Sequence, residues 1–325
     1  MVGHLWAAHT REYGAIMSQL KKMMIANLLG RRFEFKSYLE LATPSTGSFY
    51  SQIDRDYFAH VARMMYVTPF VYDDGMKVDF RSPDEDISGV LEDFRASGRT
   101  VDICLVDGWH TYKNANRDLV EMFDLLSDGG VLVVHDCIPE PREGASPRFR
   151  RGAWWGLSYK AFLDFVLQNP SLDYFALDGD HGCGMIIKNR AFDAVLGQDE
   201  PGGWLPPRPP EDLVARWFDV KDDADLAYTL FEAEHGQLLR LVPADRFMSL
   251  FSDEALELAS RTIKPPPQQA KALQQTNPAP VSAKPKKPNL DTRFLQYLNR
   301  KLAAMTGQEA PPPKAKRPDG DKGHS

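Results

Sequence analysis

Cysteine is scarce: the chain has three in 325 residues, Cys104, Cys137 and Cys183, an odd number without the paired spacing of a zinc site. Cys104 falls inside an apolar run, so the usage suits a reducing compartment and excludes a disulfide scaffold. Long hydrophobic stretches are missing too. No window approaches the run of about 18 apolar residues that crosses a bilayer, so no transmembrane segment is expected. The opening residues, MVGHLWAAHTREYG, lack the basic start, apolar middle and small-residue cleavage site of a secretory signal, which makes a cytoplasmic location the expectation. No G-x-G-x-x-G follows the first strand candidate, which weakens a reading as a nucleotide-binding oxidoreductase.

Uniform charge is also lacking. The net charge of −6 divides unevenly: residues 264–325 hold 12 Lys+Arg against 4 Asp+Glu, leaving 27 against 41 in the remainder. An acidic body argues against nucleic acid as a partner of the main domain. The basic tail carries 11 of the 24 prolines and is expected to be mostly disordered. With 43% hydrophobic and 26% charged residues, the rest suits one large core with additions.

Two stretches organise that core. Val101–His110 (VDICLVDGWH) and Gly129–Cys137 (GGVLVVHDC) are apolar, mostly β-branched runs that end in acid and imidazole: Asp107 and His110, then His135 and Asp136. Runs without polar alternation read as strands buried on both faces, as in a parallel sheet. Between them Thr111 is an N-cap candidate, and Ala115, Leu119, Met122, Phe123 and Leu126 follow at helical spacing until Gly129 and Gly130 stop the helix. Strand, helix, strand is a right-handed βαβ unit. Ligands of such sheets bind beyond the carboxyl ends of the strands, so both clusters are expected to share one cleft.

Around this unit, Arg11–Leu29 reads as a Met-rich amphipathic helix, either packed over one end of the sheet or used in a homodimer contact. Phe35–Leu41 is the first strand candidate, followed by small residues and Gly47, a setting in which backbone amides hold a ligand. Ile53–Met65 reads as a helix, Met65–Phe70 and Met76–Phe80 as strands, and Ile87–Phe94 and Gly156–Leu167 as helices. Leu172–Leu177 and Cys183–Lys188, joined by DGDHG, form an edge hairpin. Past a proline-rich linker, Glu211–Val220, Asp225–Leu241 and Asp245–Ile263 read as three helices. Leu290–Met305 is a short basic helix candidate within the tail. The expected organisation is an N-terminal helix (1–32), a central α/β domain (33–190), a helical extension (191–263) and the tail (264–325).

This order resembles a class I S-adenosylmethionine-dependent methyltransferase. The matching residues are YLEL…G at 38–47, VDICLVDGWHTY at 101–112, RDL at 117–119, LLSDGGVLVVHDC at 125–137 and HGCGMII at 181–187. The DGxH[ST]Y…GG…HD combination belongs to a branch often found beside sugar- and glycan-modifying enzymes. The resemblance implies a Rossmann-like, seven-stranded α/β sheet with a closing β-hairpin and S-adenosyl-L-methionine as cofactor. It places Glu40, Ala42, Gly47, Thr68, Asp107, Gly108 and Trp109 on the cofactor side. Two positions depart from the pattern. Ala42 stands where a glycine is usual. Tyr66-Val67-Thr68-Pro69 replaces Gly-Val-Asp-Pro, whose acid grips the ribose hydroxyls; Asp73, Asp74 or Asp79 are alternative sources of that acid. Threonine makes one neutral hydrogen bond where a carboxylate accepts two stronger ones.

Methyl transfer to an alcohol needs a base, a metal that lowers the hydroxyl pKa, or both. Asp107 and Asp136 offer hard oxygen ligands suited to Mg²⁺. Related catechol- and macrolide-sugar O-methyltransferases place metal-binding acids after the same two strands, which implies Asp107 and Asp136 as ligands here. His110 and His135 are each candidates for a third ligand or for the base. Asp107, His110 and His135 are thus the catalytic candidates, and Trp154 and Trp155 are candidate walls for a sugar or other planar acceptor. The expected activity is methyl transfer to a hydroxyl of a small acceptor. A binding or scaffolding protein with a degenerate methyltransferase fold is the alternative.

Overall fold

Seven residues, Val101–Asp107, form the central strand β4 of the protein, described here from a computed structural model over residues 20–43, 50–66, 78–83, 85–150, 153–197 and 203–261. Gly47, Thr68, Asp73, Asp74, Arg151, the first half of the expected N-terminal helix and the tail lie outside the described residues. β4 lies between β1 (Ser37–Ala42) and β5 (Leu126–Val134), parallel to both, with Tyr38 opposite Ile103 and Cys104 opposite Leu132. Ile103, Cys104 and Leu105 are wholly buried, as a strand covered on both faces requires. Each such aliphatic side chain contributes about 2 kcal/mol of burial.

The sheet extends outward on both sides. β2 (His60–Tyr66) and β3 (Phe80–Ser82) continue it in parallel beyond β1. β7 (Cys183–Ile187) runs antiparallel to β5 and pairs with β6 (Asp173–Asp178), the expected closing hairpin. β8 (Leu241–Pro243) adds to β6, giving the order β3-β2-β1-β4-β5-β7-β6-β8. The seven strands expected are present in Rossmann-like order, and the eighth comes from the extension. All three cysteines are buried and unpaired.

Helices cover the sheet: α1 (Lys22–Arg32), α2 (Ser88–Ala96), α3 (Tyr112–Leu125) and α4 (Ser158–Gln168). The methionine face of α1 is used internally, since Met23, Met24, Leu28 and Leu29 are at most 1% exposed within the main core. In α3, Ala115, Leu119, Met122 and Phe123 are buried at the predicted spacing, and Phe123 meets Phe165 of α4 edge-on at 5.6 Å. The extension supplies α5 (Asp193–Leu196), α6 (Glu211–Val220), α7 (Ala224–Leu238), α8 (Ala244–Met248) and α9 (Asp253–Arg261). Among the described residues no helix is long and apolar enough to cross a membrane.

Several expectations are corrected. Residues 53–65 are not a helix: turns occupy 51–57 and a strand begins at His60, because His60–Met65 pair residue by residue with Ser37–Ala42. The third strand begins only at Phe80. Gly129 and Gly130 do not end α3, which stops at Leu125 when Leu126 turns extended. They sit inside β5, where the pairing slips a register against Val101–Ile103 and a Cβ on Gly130 would come within 2.9 Å of the Asp102 carbonyl. The helix expected at Asp225–Leu241 ends at Leu238, and the one at Asp245–Ile263 is broken in two. Arg240, at φ 49°, turns the chain into β8.

Thr111 caps α3 as expected, its side chain accepting from the Asn114 N–H. Thr111→Ala should lower unfolding stability by about 1 kcal/mol, read as a shift in the urea midpoint at unchanged slope.

Candidate active site

The ends of β4 and β5 bring the predicted acids and imidazoles together. Asp107 is the last residue of β4, and His135 and Asp136 follow β5. His110 Nε2 lies 3.3 Å from Asp107 Oδ1, and its Nδ1 lies 3.2 Å from both Asp136 Oδ2 and the Trp154 carbonyl. His135 Nδ1 is 3.3 Å from Asp107 Oδ1 and 3.0 Å from Asp136 Oδ1. Two neighbouring residues of an extended chain point to opposite faces, yet His135 and Asp136 both enter the cluster. Asp136 has φ 62°, and this left-handed turn redirects its side chain.

Two further residues, unpredicted from sequence, complete the cluster. Lys22 of α1, 3% exposed, donates from Nζ to Asp107 Oδ2 and lies 3.3 Å from His135 Nδ1. Asp180, in the β6–β7 turn, accepts from the Lys22 backbone N–H at 2.9 Å and from Lys21 Nζ at 2.9 Å, with His135 Nε2 3.4 Å away. In sequence, Lys22 reads as the polar edge of a helix and Asp180 as turn chemistry. The only hint was a lysine abutting MMIANLLG, a segment buried on every side.

Electrostatics follow from this packing. Burial works against charge on His110, but Asp136 and Asp107 outweigh it and raise its pKa. For His135 burial and Lys22 also lower the value, and Asp136 and Asp107 still carry it well above the usual imidazole range. Burial alone would raise Asp107; Lys22 and His135 instead hold it well below the ordinary carboxylate value. Both histidines are therefore favoured as imidazolium, each nitrogen of His110 facing an acceptor. Two buried atoms still lack a hydrogen bond: Asp136 Oδ1 and His135 Nε2, whose nearby partners are off line.

The predicted cofactor side is only partly described. Glu40 ends in a fully buried position, held by Tyr38 Oη at 3.2 Å and facing Arg63 Nε at 3.6 Å. Burial raises its pKa to about 7, against the opposing pull of Arg63 and Lys22. Its Oε1 has no hydrogen bond. Ala42 is buried beside Asp107 in register. Tyr66, at the end of β2, reaches across to Asp118: its hydroxyl donates to Asp118 Oδ2 at 2.7 Å and accepts from the Trp109 N–H at 2.5 Å. Gly108 must lack a side chain there, since a Cβ would meet Tyr66 Oη at 2.6 Å. Among the described residues, Asp107, Gly108, Trp109, His110, Asp118 and His135 line a small, partly open cavity of about 10 Å³, room for one water.

On the other side, Trp154 stacks over His110 with ring centroids 5.4 Å apart and touches Trp109 at 4.7 Å. Trp155 is wedged under Gly144 and against His181, 5.1 Å between rings. Both tryptophans are less than a tenth exposed, so they pack the cluster's wall and present no open platform. Arg148 and Arg150 are exposed. Gly156, at φ 57°, passes so close to His110 that a Cβ would collide with its carbonyl oxygen; that oxygen accepts from the Leu157 N–H at 2.7 Å.

Strand order, closing hairpin and a polar cluster at the carboxyl ends of β4 and β5 define a class I methyltransferase fold. Residues 39–137 match a family described as a methyltransferase domain. That match spans under a third of the chain and agrees with the strand order of the sheet. Solved structures similar to it include cofactor-bound Rv0187 from MTB, at 16% identity over 53% of this chain and 81% of that one, TM-score 0.37. An O-methyltransferase from Bacillus cereus in complex with SAH is 11% identical over 51% of this chain and 80% of that one, TM-score 0.36. MycE methyltransferase from the mycinamycin biosynthetic pathway, in complex with Mg, SAH and mycinamycin VI, is 14% identical over 54% of this chain and half of that one, TM-score 0.31. No curated protein matches the chain by sequence.

Gly156→Ala should displace the His110 backbone and strain a left-handed position, costing at least about 2 kcal/mol in chemical denaturation. Gly89→Ala, in helix α2 where a Cβ meets nothing within 4 Å, is the control and should lose no stability.

Proposed function

We propose that the chain transfers a methyl group from S-adenosylmethionine to a hydroxyl oxygen of a small acceptor, a sugar or glycan being the class in view. The observation that supports this is the convergence of Asp107, His110, His135 and Asp136 at adjacent parallel-strand ends, where such sheets bind ligands. S-adenosylmethionine supplies a methyl group already activated by its sulfonium charge. Glu40 and Asp107, with one buried Glu40 oxygen lacking a hydrogen bond, suit a cationic, hydroxyl-bearing ligand on that side. Residues 33–190 carry the chemistry, and the extension buttresses it.

His110 is the base in this reading. Asp107 and Asp136 orient its ring, and Trp154 fixes its face. Once deprotonated, His110 accepts the acceptor's hydroxyl proton, and its carboxylate neighbours stabilise the imidazolium that results. Asp107, His110 and Asp136 also fit a divalent cation, each offering one donor atom and all three within 4.8 Å of one another. Oxygen and imidazole donors suit Mg²⁺ or Mn²⁺, and such an ion would lower the pKa of a bound hydroxyl.

A binding or scaffolding protein whose methyltransferase fold no longer takes the cofactor is the competing reading, favoured by the small volume of the cavity beside Asp107. Titration calorimetry with S-adenosylmethionine separates the two: heat is expected, and none at millimolar cofactor sinks the enzyme. With a panel of hydroxylated acceptors, Asp107→Ala and Asp136→Ala should each lose at least about 100-fold in S-adenosylhomocysteine formation. Since Asp136 and Asp107 raise the His110 pKa above its ordinary value, kcat/KM should climb as pH rises above the usual imidazole range. A flat profile between pH 6 and 9 removes His110 as base.

A further inference from the structure

The reaction just described leaves Lys22 unused, although its ammonium sits at the centre of the cluster. Helix α1 enters there by its N-terminus. Lys21, at the cap position, gives no side-chain cap to its own helix. Asp180 supplies the anion instead, binding the Lys22 backbone N–H and the Lys21 ammonium, each at 2.9 Å. A carboxylate at a helix N-terminus is favoured by the helix dipole and by the unpaired amides of the first turn. This latch fixes the direction of Lys22, whose Nζ binds Asp107 Oδ2 while His135 Nδ1 lies 3.3 Å away.

Asp107 is thus shared between two demands. One of its oxygens holds an ammonium. The same carboxylate belongs to the trio with His110 and Asp136 whose donor atoms lie within 4.8 Å of one another. In that trio Asp136 Oδ2 faces His110 Nδ1 at 3.2 Å, while its Oδ1 faces His135 Nδ1 at 3.0 Å without a hydrogen bond. An ammonium and a divalent ion on one buried carboxylate repel strongly, because little water is present to screen them. A helix-borne cation therefore already neutralises the carboxylate that a metal ion would need to share.

We propose that Lys22 is the resident cation of this centre and keeps divalent metal ions from binding tightly at Asp107, His110 and Asp136. The inference rests on the reading of this cluster as the transfer site for its meaning in catalysis. Metal affinity then depends on how far α1 withdraws its ammonium, and an acceptor oxygen meets a lysine at Asp107 unless it does.

The test is Mn²⁺ binding to the full chain without S-adenosylmethionine, followed by electron paramagnetic resonance and calorimetry. Wild type is expected to bind Mn²⁺ no tighter than about 1 mM, and Lys22→Met and Lys22→Gln at least tenfold tighter, about 1.4 kcal/mol. Lys22→Arg, which keeps the charge, should stay as weak as wild type. The gain should vanish in Lys22→Met combined with Asp136→Asn. Low-micromolar binding by wild type overturns the proposal, as do folded neutral variants that bind no better than wild type. If circular dichroism shows the neutral variants unfolded, Asp180→Asn, which loosens the α1 latch and leaves Lys22 in place, is titrated instead: tighter Mn²⁺ binding than wild type upholds the proposal and no gain ends it. Absence of S-adenosylmethionine binding would count against the methyltransferase reading and leave this result untouched.

Discussion

Three carboxylates, Asp107, Asp136 and Asp180, are buried where β4, β5 and the β6–β7 turn end, and the need to neutralise them shapes what surrounds them. Buried charge without a partner is destabilising by several kcal/mol. Here four partners come from three directions: the start of α1 gives Lys21 and Lys22, the segment after β4 gives His110, and β5 leads into His135. The latch of α1 onto Asp180, the left-handed turn at Asp136 and the close pass of Gly156 behind His110 each hold one of those partners in place. Chemistry at this point is inseparable from electrostatic balance, since any group that binds must displace or join an existing ion pair.

The centre of the fold was legible in the sequence because its strands are buried on both faces. VDICLVD and VLVV leave no choice of face, so period and hydrophobicity agree, and the acids and histidines after them had to emerge together. The Thr111 cap and the edge hairpin were legible for similar local reasons. Residues 53–65 were not: their apolar spacing fits a helix, but pairing with β1 decided the outcome, and Arg63 is wholly buried against Glu40 only because that pairing exists. Gly129 and Gly130 looked like a helix terminus because the same glycines suit a strand irregularity.

Within the site, side chains close to their strand were found and those arriving from afar were missed. Lys22 and Asp180 are separated from Asp107 by 85 and 73 positions, and no local pattern links them. Tyr66 and Asp118 tell the same story. The Asp118 of RDL, a residue of the family match with no partner legible in the sequence, is fully buried, paired with Arg117 at 2.6 Å and with Tyr66 at 2.7 Å beside Gly108.

The extension is joined to the sheet by more than contact. β8 completes the hydrogen bonding of β6, Trp204 packs edge-on against Phe175 at 5.4 Å, and Trp217 donates to Asp164 at 2.8 Å inside α4. Asp164 also binds Tyr112 and Lys160, each at 2.7 Å. A protein ended at residue 190 would therefore bare a row of unpaired amides along β6 and strip a partner from a submerged acid, inviting strand-to-strand self-association. The segment past residue 190 is a keystone of the architecture, and a minimal catalytic fragment would have to keep it.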